Sequence, residues 1–385
     1  MDLNLQKTLL FLFFILLGLL LKAKLKDKKE LGGVKIIILN LALPATIFIA
    51  LLSIDIKISL LFLPLLALAL NIFLFLAFPV FVKPLGLKPG TANYRTAHLL
   101  LPSLAPGLSC FPFILEYLGE SYLAKAAMAD LGNKLFVLLG LYLVAMRWHY
   151  KIQQINSVSN KSKIKKLGIA MFTEPVNLFI GVALVLLFLG LNLQSLPYIF
   201  SESLTKLSLI MTPLVLLFIG LSVSVKRNQF VQIISLLLVR AGIVTLFAWA
   251  VCLLASVNVA EDRLLLVAFG LSACSFWPFA HIASVASQEK ESSKLRKTFN
   301  QNYAINILAI SFPLSVVLIL GILSARTYFA SSYNLFFLGL LLLGSGFCYP
   351  LARAIYKRRV NAKSQLPTTE KERVKIRMRR VSENS

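Results

Sequence analysis

Two stretches of this sequence interrupt long apolar segments with prolines and small polar residues. Residues 101–113 read LPSLAPGLSCFPF, and residues 270–279 read GLSACSFWPF. A proline inside a helix removes one backbone hydrogen bond and frees a carbonyl group. In hydrocarbon, a freed polar group needs another partner, a water molecule or a ligand. We therefore predict a broken helix at each stretch and a binding site beside the two breaks.

The sequence around these stretches is typical of an integral membrane protein. Hydrophobic residues make up 58% of the 385 residues and charged residues only 15%, whereas soluble domains carry about a quarter charged residues. The apolar stretches are about twenty residues long, which lets a helix cross the ~30 Å hydrocarbon core. We predict an all-α polytopic protein with eleven spans: Leu3 to Leu21, Val34 to Ser53, Ser59 to Val82, Thr96 to Leu118, Tyr122 to Met146, Pro175 to Leu193, Leu204 to Val225, Phe230 to Ser256, Leu264 to Ala286, Thr298 to Leu323 and Tyr333 to Tyr349.

The basic residues predict the orientation of these spans. Thirty-one of the 40 lysines and arginines follow the odd-numbered spans, and six lie on the opposite side. Because basic loops stay in the cytoplasm, we expect the N-terminus outside and the C-terminus inside. The expected location is the plasma membrane, or the inner membrane if the source is a bacterium.

The net charge of +24 follows from this topology and not from a nucleic-acid function. The tail from residue 353 onward holds eleven basic and three acidic residues. Each basic residue close to an anionic membrane surface contributes about 1 kcal/mol of attraction. We expect the tail to contact anionic lipid headgroups, and we expect no nucleic-acid partner because no binding module is recognisable.

The two halves of the chain show a matching pattern of prolines. Pro44 and Pro213 are 169 residues apart, and Pro112 and Pro278 are 166 residues apart. Each half contains five spans, an odd number, so the second half enters the membrane from the opposite face. Such inverted repeats are common in secondary transporters. The predicted parts are a first five-helix repeat (1–147), a basic cytoplasmic linker (148–167), a second five-helix inverted repeat (168–323), an additional transmembrane helix (324–352) and a basic cytoplasmic tail (353–385).

Several of these elements resemble the auxin efflux carrier family of permeases, which includes plant carriers and bacterial organic-acid permeases. The resemblance extends over residues 1–323. The matching stretches are residues 41–44, residues 106–119 through to Asp130, the Glu174-Pro175 pair, residues 213–220 and the helix of Pro278.

The resemblance implies two inverted five-helix repeats whose fourth helices cross at the prolines. It also implies transport of a small organic anion by alternating access, through a site beside that crossing. Family members often have an Asn-Thr-Gly-like stretch before the first crossing proline, where this chain has Leu104-Ala-Pro-Gly107. The eleventh span and the basic tail are additions to the family pattern.

The residues around the crossing prolines form the candidate substrate site. Asp130 and Lys134 lie four residues apart in the fifth span, so they share a helix face and can pair. Ionisable groups inside a membrane span cost about 2.5–3.5 kcal/mol each and tend to mark function. Since the resemblance places an acidic residue of this helix near the crossing, Asp130 is a candidate proton carrier or gate and Lys134 a counter-charge for an anion; a purely structural ion pair is the alternative. The substrate-site candidates are Ser109, Cys110, Pro112, Cys274, Ser275 and Pro278.

Four further polar residues have two interpretations each. His281 follows Pro278 by one helical turn and is either a coupling residue that titrates near pH 6.5 or a packed side chain. Arg240 either faces the substrate path or extends toward the cytoplasmic side with its long side chain, and we favour the second interpretation. Asn302 and Asn306 could support the site by hydrogen bonds to a carboxylate or to the crossing carbonyls, or they could join helices.

No motif for enzymatic catalysis occurs in the sequence. The four cysteines lie in apolar stretches without metal-ligand spacing, so we expect neither a metal nor a cofactor. A sodium-coupled symporter of the related bile-acid type is one alternative function. A non-transporting membrane receptor or assembly factor with the same fold is another. A homodimer is compatible with each of these functions.

Overall fold

A computed structural model describes residues 3–22, 24, 28–53, 60, 62–153, 165, 169, 173–222, 229–290 and 297–364. These residues form helices and connecting turns, and no strand occurs among them. The predicted cytoplasmic linker (148–167) lies mostly outside the described residues, as do residues 365–385 of the predicted tail.

Thirteen helices organise the described part of the chain. Their bounds are α1 (Leu3–Leu21), α2 (Gly32–Leu52), α3 (Phe62–Leu85), α4 (Ala92–Leu100), α5 (Phe111–Leu118), α6 (Glu120–Gln153), α7 (Pro175–Phe188), α8 (Tyr198–Leu221), α9 (Phe230–Leu254), α10 (Ala260–Gly270), α11 (Trp277–Lys290), α12 (Gln301–Ser324) and α13 (Ser332–Ser364).

The lengths and apolar character of these helices are those of an integral membrane protein. Six of the described helices, α2, α3, α6, α8, α9 and α12, are long and apolar enough to cross a membrane. The apolar parts of α1, α7 and α13 are shorter. Large apolar side chains on the outer surface, such as Phe188 and Leu254, are almost 90% exposed. Such side chains are stable at a lipid-facing surface, where the solvent is itself apolar.

Two pairs of short helices are separated by unwound backbone. The first unwound segment, residues 101–105, follows α4 and precedes a single helical turn at Pro106–Ser109 and then α5. The second, residues 271–276, separates α10 from α11. Pro102 lies within the first break, whereas Pro106 and Pro278 lie just after the two breaks, because a proline fits the first turn of a helix, where its missing N–H is not needed. Pro112 lies in the first turn of α5 and does not itself form the first break, which comes before Pro106.

Two helix pairs pack with their backbones in direct contact. A Cβ atom added to Gly132 of α6 would lie 1.8 Å from the carbonyl oxygen of Pro64 in α3. A Cβ atom on Gly18 of α1 would lie 2.2 Å from the carbonyl oxygen of Leu217 in α8. Small residues allow this close approach between membrane helices. These contacts fix α3 against α6 and α1 against α8.

We expect Gly132→Ala to lower the stability of the protein markedly. The added methyl group cannot be accommodated without moving the α3 backbone, and overpacking of this kind costs about 1–3 kcal/mol. Thermal unfolding in detergent micelles measures the effect. Gly321→Ala in α12 is the matched control, because a Cβ atom there would meet nothing within 4 Å. An unchanged unfolding temperature for Gly132→Ala would contradict the close contact of α3 and α6.

The last helix is longer than its predicted membrane span. It runs without interruption from Ser332 to Ser364, 33 residues in all, and therefore extends about 50 Å. The sequence boundary between span and tail at residue 353 does not coincide with the end of the helix. This helix packs along α9, where Gly242 and Gly346 allow close contact. Its length therefore exceeds the thickness of a hydrocarbon core, which is about 30 Å.

Candidate functional site

The two unwound segments lie against each other and are joined by hydrogen bonds; we call the place where they meet the crossing. The backbone N–H of Ala105 donates to the carbonyl oxygen of Ala273 at 2.8 Å. The N–H of Ser275 donates to Ser103 Oγ at 2.9 Å, and the N–H of Ala273 donates to Ser109 Oγ at 3.0 Å. Polar backbone groups released by one broken helix are therefore partnered by the other, as burial in an apolar medium requires.

Arg240 of α9 connects both unwound segments from one side. Its Nε donates to the carbonyl oxygen of Leu101 at 2.7 Å. Its Nη2 donates to the carbonyl oxygens of Ser103 and Ser272 at 3.2 and 3.0 Å. The expectation that Arg240 extends toward the cytoplasm is wrong: the side chain is buried, because the broken helices supply carbonyl acceptors within the reach of its guanidinium donors.

Asn133 of α6 acts as a polar partner for the first unwound segment. Its Nδ2 donates to the carbonyl oxygen of Leu104 at 3.0 Å, and its Oδ1 accepts the N–H of the same residue at 3.2 Å. It also donates to Asp130 Oδ1 at 2.8 Å and accepts a bond from Asn71 at 2.9 Å. Both asparagines are buried. Neither asparagine was among the predicted site residues, although an asparagine in an otherwise apolar span is a signal that the sequence contains.

Lys134 lies between two carboxylates. Its Nζ is 3.4 Å from Asp130 Oδ2, as the spacing of four residues predicts, and 3.3 Å from Glu174 Oε1. It also donates to Asn177 Oδ1 at 2.9 Å. Glu174 immediately precedes α7, so this cluster joins α6 to the start of α7. Because Lys134 already has two anionic partners, its charge is neutralised within the protein.

A cavity of about 240 Å³ lies beside the crossing. Its walls come from both unwound segments and from α2, α6 and α7. Leu39, Leu43 and Val176 are among the apolar residues in these walls. A compact organic molecule with an apolar body and a charged group fits this combination of walls. The polar residues that line the cavity are Lys35, Asp130, Asn133, Lys134, Glu174 and Ser275.

The predicted substrate-site residues are distributed around the crossing, and only one of the six lines the cavity. Ser275 lines the cavity. The hydroxyl group of Ser109 accepts the hydrogen bond from the N–H of Ala273 and so joins the first broken helix to the second unwound segment. Cys110 is fully buried. The backbone N–H of Cys274 donates to Ser311 Oγ at 2.6 Å. The remaining two, Pro112 and Pro278, lie in the first turns of α5 and α11.

The structure places His281, Asn302 and Asn306 away from the cavity lining. Nε2 of His281 lies 2.9 Å from the carbonyl oxygen of Val137, and the imidazole packs edge-on against the Tyr142 ring. These contacts agree with the packing interpretation of His281. Asn302 is exposed on α12 and Asn306 is half-buried, and neither lines the cavity. Hydrogen bonds of these two asparagines to a carboxylate or to the crossing carbonyls stay a prediction.

The fold and the site define a class of protein: a helical integral membrane protein with two unwound segments that contact each other and, beside them, a cavity whose mainly apolar walls carry ionisable side chains. No protein-family model matches the chain, and no curated protein matches it.

Proposed function

We propose that this protein is a secondary transporter of the auxin efflux carrier type, which moves a small organic anion across the membrane by alternating access. The observation that carries the proposal is the crossing of two unwound segments beside a cavity with ionisable walls. Unwound backbone inside a membrane protein is stable where protein or a water-filled cavity covers it. In secondary transporters, broken helices of this kind form the substrate site near the middle of the membrane.

The proposed architecture is eleven membrane crossings, of which the first ten form two inverted five-helix repeats. Reciprocal packing between the halves supports the repeats. In the first half α1 packs against α8, and in the second half the corresponding α7 packs against α2. Likewise α5 contacts α10, and α11 contacts α4. An internal twofold relation between the halves accounts for both reciprocal pairs.

In the proposed mechanism, α1, α2, α7 and α8 form a fixed scaffold, and α3–α6 with α9–α12 carry the crossing across the midplane. This division follows the family resemblance. The position of the cavity supports it, because Leu43 and Val176 belong to the scaffold whereas Leu104 and Ser275 belong to the crossing segments. A ligand in the cavity contacts both parts, so its binding depends on their relative position. The distribution of basic residues supports an orientation with the N-terminus outside and the C-terminus in the cytoplasm.

Flux in sealed vesicles tests this proposal. We expect the purified protein to accumulate at least one member of a panel of labelled mono- and dicarboxylates, driven by a pH gradient or by a membrane potential. We expect Val176→Phe to lower that flux at least tenfold, because the larger side chain narrows the cavity. Val182→Phe is the matched control: it lies on the same helix but is exposed on the outer surface.

Three outcomes would contradict the proposal or part of it. Absence of flux for every anion under every gradient would favour the receptor or assembly-factor alternative. Flux that requires a sodium gradient would favour the bile-acid-type symporter. Unchanged flux in Val176→Phe would show that the cavity is not part of the transport path.

A further inference from the structure

Three basic side chains lie at the crossing or line its cavity, and each of them has different partners. Lys134 contacts two carboxylates, and Arg240 donates to three carbonyl oxygens. Lys35 of α2 lines the cavity, but no carboxylate of the described residues lies within 4 Å of its ammonium group. Its Nζ lies over the face of the Phe276 ring, 4.9 Å from the ring centroid. Of the three cations, Lys35 is the one that has neither a hydrogen-bond acceptor nor a carboxylate partner among the described residues.

The Phe276 ring is a weak substitute for an anion. A cation–π contact attracts an ammonium group less strongly than a charge-assisted hydrogen bond to a carboxylate does. An ammonium group inside a membrane protein is also costly unless an anion or water compensates it. Since Lys35 is only half-buried and faces the cavity, a small anion that enters the cavity can reach it.

We infer that Lys35 is the anion-recognition residue of the cavity. The carboxylate of the ligand accepts a hydrogen bond from Lys35 Nζ, in place of the contact with Phe276. This inference rests on the proposed function for its ligand class, and it assigns to Lys35 the counter-charge role that the sequence analysis gave to Lys134. Because Lys35 belongs to α2 and Phe276 to the second unwound segment, anion binding also replaces a direct contact between scaffold and crossing.

Fluorescence quenching at Trp277 tests the assignment without a known substrate. Trp277 follows Phe276 and lines the same cavity. The chain has three tryptophans, so Trp148→Phe combined with Trp249→Phe leaves Trp277 as the single reporter in the full-length protein. Iodide is the anionic probe and acrylamide the neutral one, both measured in micelles of a neutral detergent.

We expect Lys35→Gln to lower the quenching constant for iodide at least twofold and to leave that for acrylamide unchanged. Lys35→Arg keeps the positive charge and is expected to retain the iodide value. Lys125→Gln is the matched control, since Lys125 is paired with Asp262 at 2.6 Å, away from this cavity. An unchanged ratio of the iodide to the acrylamide constant in Lys35→Gln would overturn the assignment. An equal fall of the iodide constant in Lys35→Arg would overturn the assignment as well.

The same measurement in phosphatidylcholine vesicles, with and without phosphatidylglycerol, separates a soluble anion from a lipid headgroup. If phosphatidylglycerol abolishes the difference in the iodide quenching constant between the parent protein and Lys35→Gln, a lipid phosphate binds to Lys35 and the assignment is wrong. A difference that persists supports a soluble ligand. Because quenching requires no flux, failure of this inference is distinguishable from failure of the transport proposal.

Discussion

Arg240→Met is expected to reduce the yield of folded protein at least tenfold. The change removes the donor that three backbone carbonyls share, at Leu101, Ser103 and Ser272. A buried polar group left without a partner costs about 1–3 kcal/mol. Since three carbonyl groups lose their donor, we expect the free energy of unfolding to fall by about 3 kcal/mol or more. Size-exclusion chromatography after detergent extraction measures the yield, and thermal unfolding measures the stability of what remains.

Two further variants separate this structural role from a simple effect of charge. Arg147→Met makes the same chemical change at an exposed position of α6 and is expected to leave yield and unfolding temperature unchanged. Arg240→Lys keeps the charge but has fewer donors in a different geometry, so we expect an intermediate result. Full yield and stability in Arg240→Met would show that the two unwound segments hold together without this arginine.

Asp130→Asn is expected to lower transport at least tenfold while the yield of folded protein stays within about twofold. A carboxylate that titrates or gates loses its charge, whereas the amide has nearly the same shape and can still accept the bond from Asn133. Lys134 keeps Glu174 and Asn177 as partners, so the change does not leave its ammonium group alone. A simple two-residue pair would behave differently, because removing one partner of a buried pair costs about 3–5 kcal/mol. Flux in vesicles, normalised to reconstituted protein, is the measurement.

The double variant Asp130→Asn with Lys134→Met distinguishes function from support. Full transport in this variant would show that the pair only holds α6 in place, and Asp130 would then have no gating or titrating role. Asp262→Asn is the control for loss of an ion pair with lysine. Its partner is Lys125 and both side chains are about 30% exposed, so we expect little change in flux or yield.

Much of the architecture follows from local sequence. Composition and the length of apolar stretches depend only on neighbouring residues, and they correctly predict an all-helical membrane protein. The two unwound segments were also predictable, because 101–106 and 271–278 combine prolines with small polar residues in apolar surroundings. The spacing of Asp130 and Lys134 likewise predicts their contact, since helix geometry fixes which side chains meet.

The polar contacts of the site join residues that are far apart in the sequence, so no local pattern predicts them. Arg240 reaches Leu101 across 139 residues of sequence, and Lys134 reaches Glu174 across forty. Hydropathy alone predicts that the Arg240 side chain extends to the membrane surface, because a charged group in hydrocarbon is costly. In the fold, backbone carbonyl groups of the two unwound segments instead lie within reach of its guanidinium group and accept its hydrogen bonds.

The sequence by itself therefore determined that the chain forms apolar helices typical of a membrane protein, and in which two stretches these helices are interrupted. Only the tertiary structure decided which of the charged groups are paired, which side chains support the crossing, and that Lys35 faces the cavity without a carboxylate among its described neighbours. The physical reason is that helix formation in a membrane is set by local apolarity and backbone hydrogen bonding, whereas the partner of a buried charge is set by which distant helices pack together.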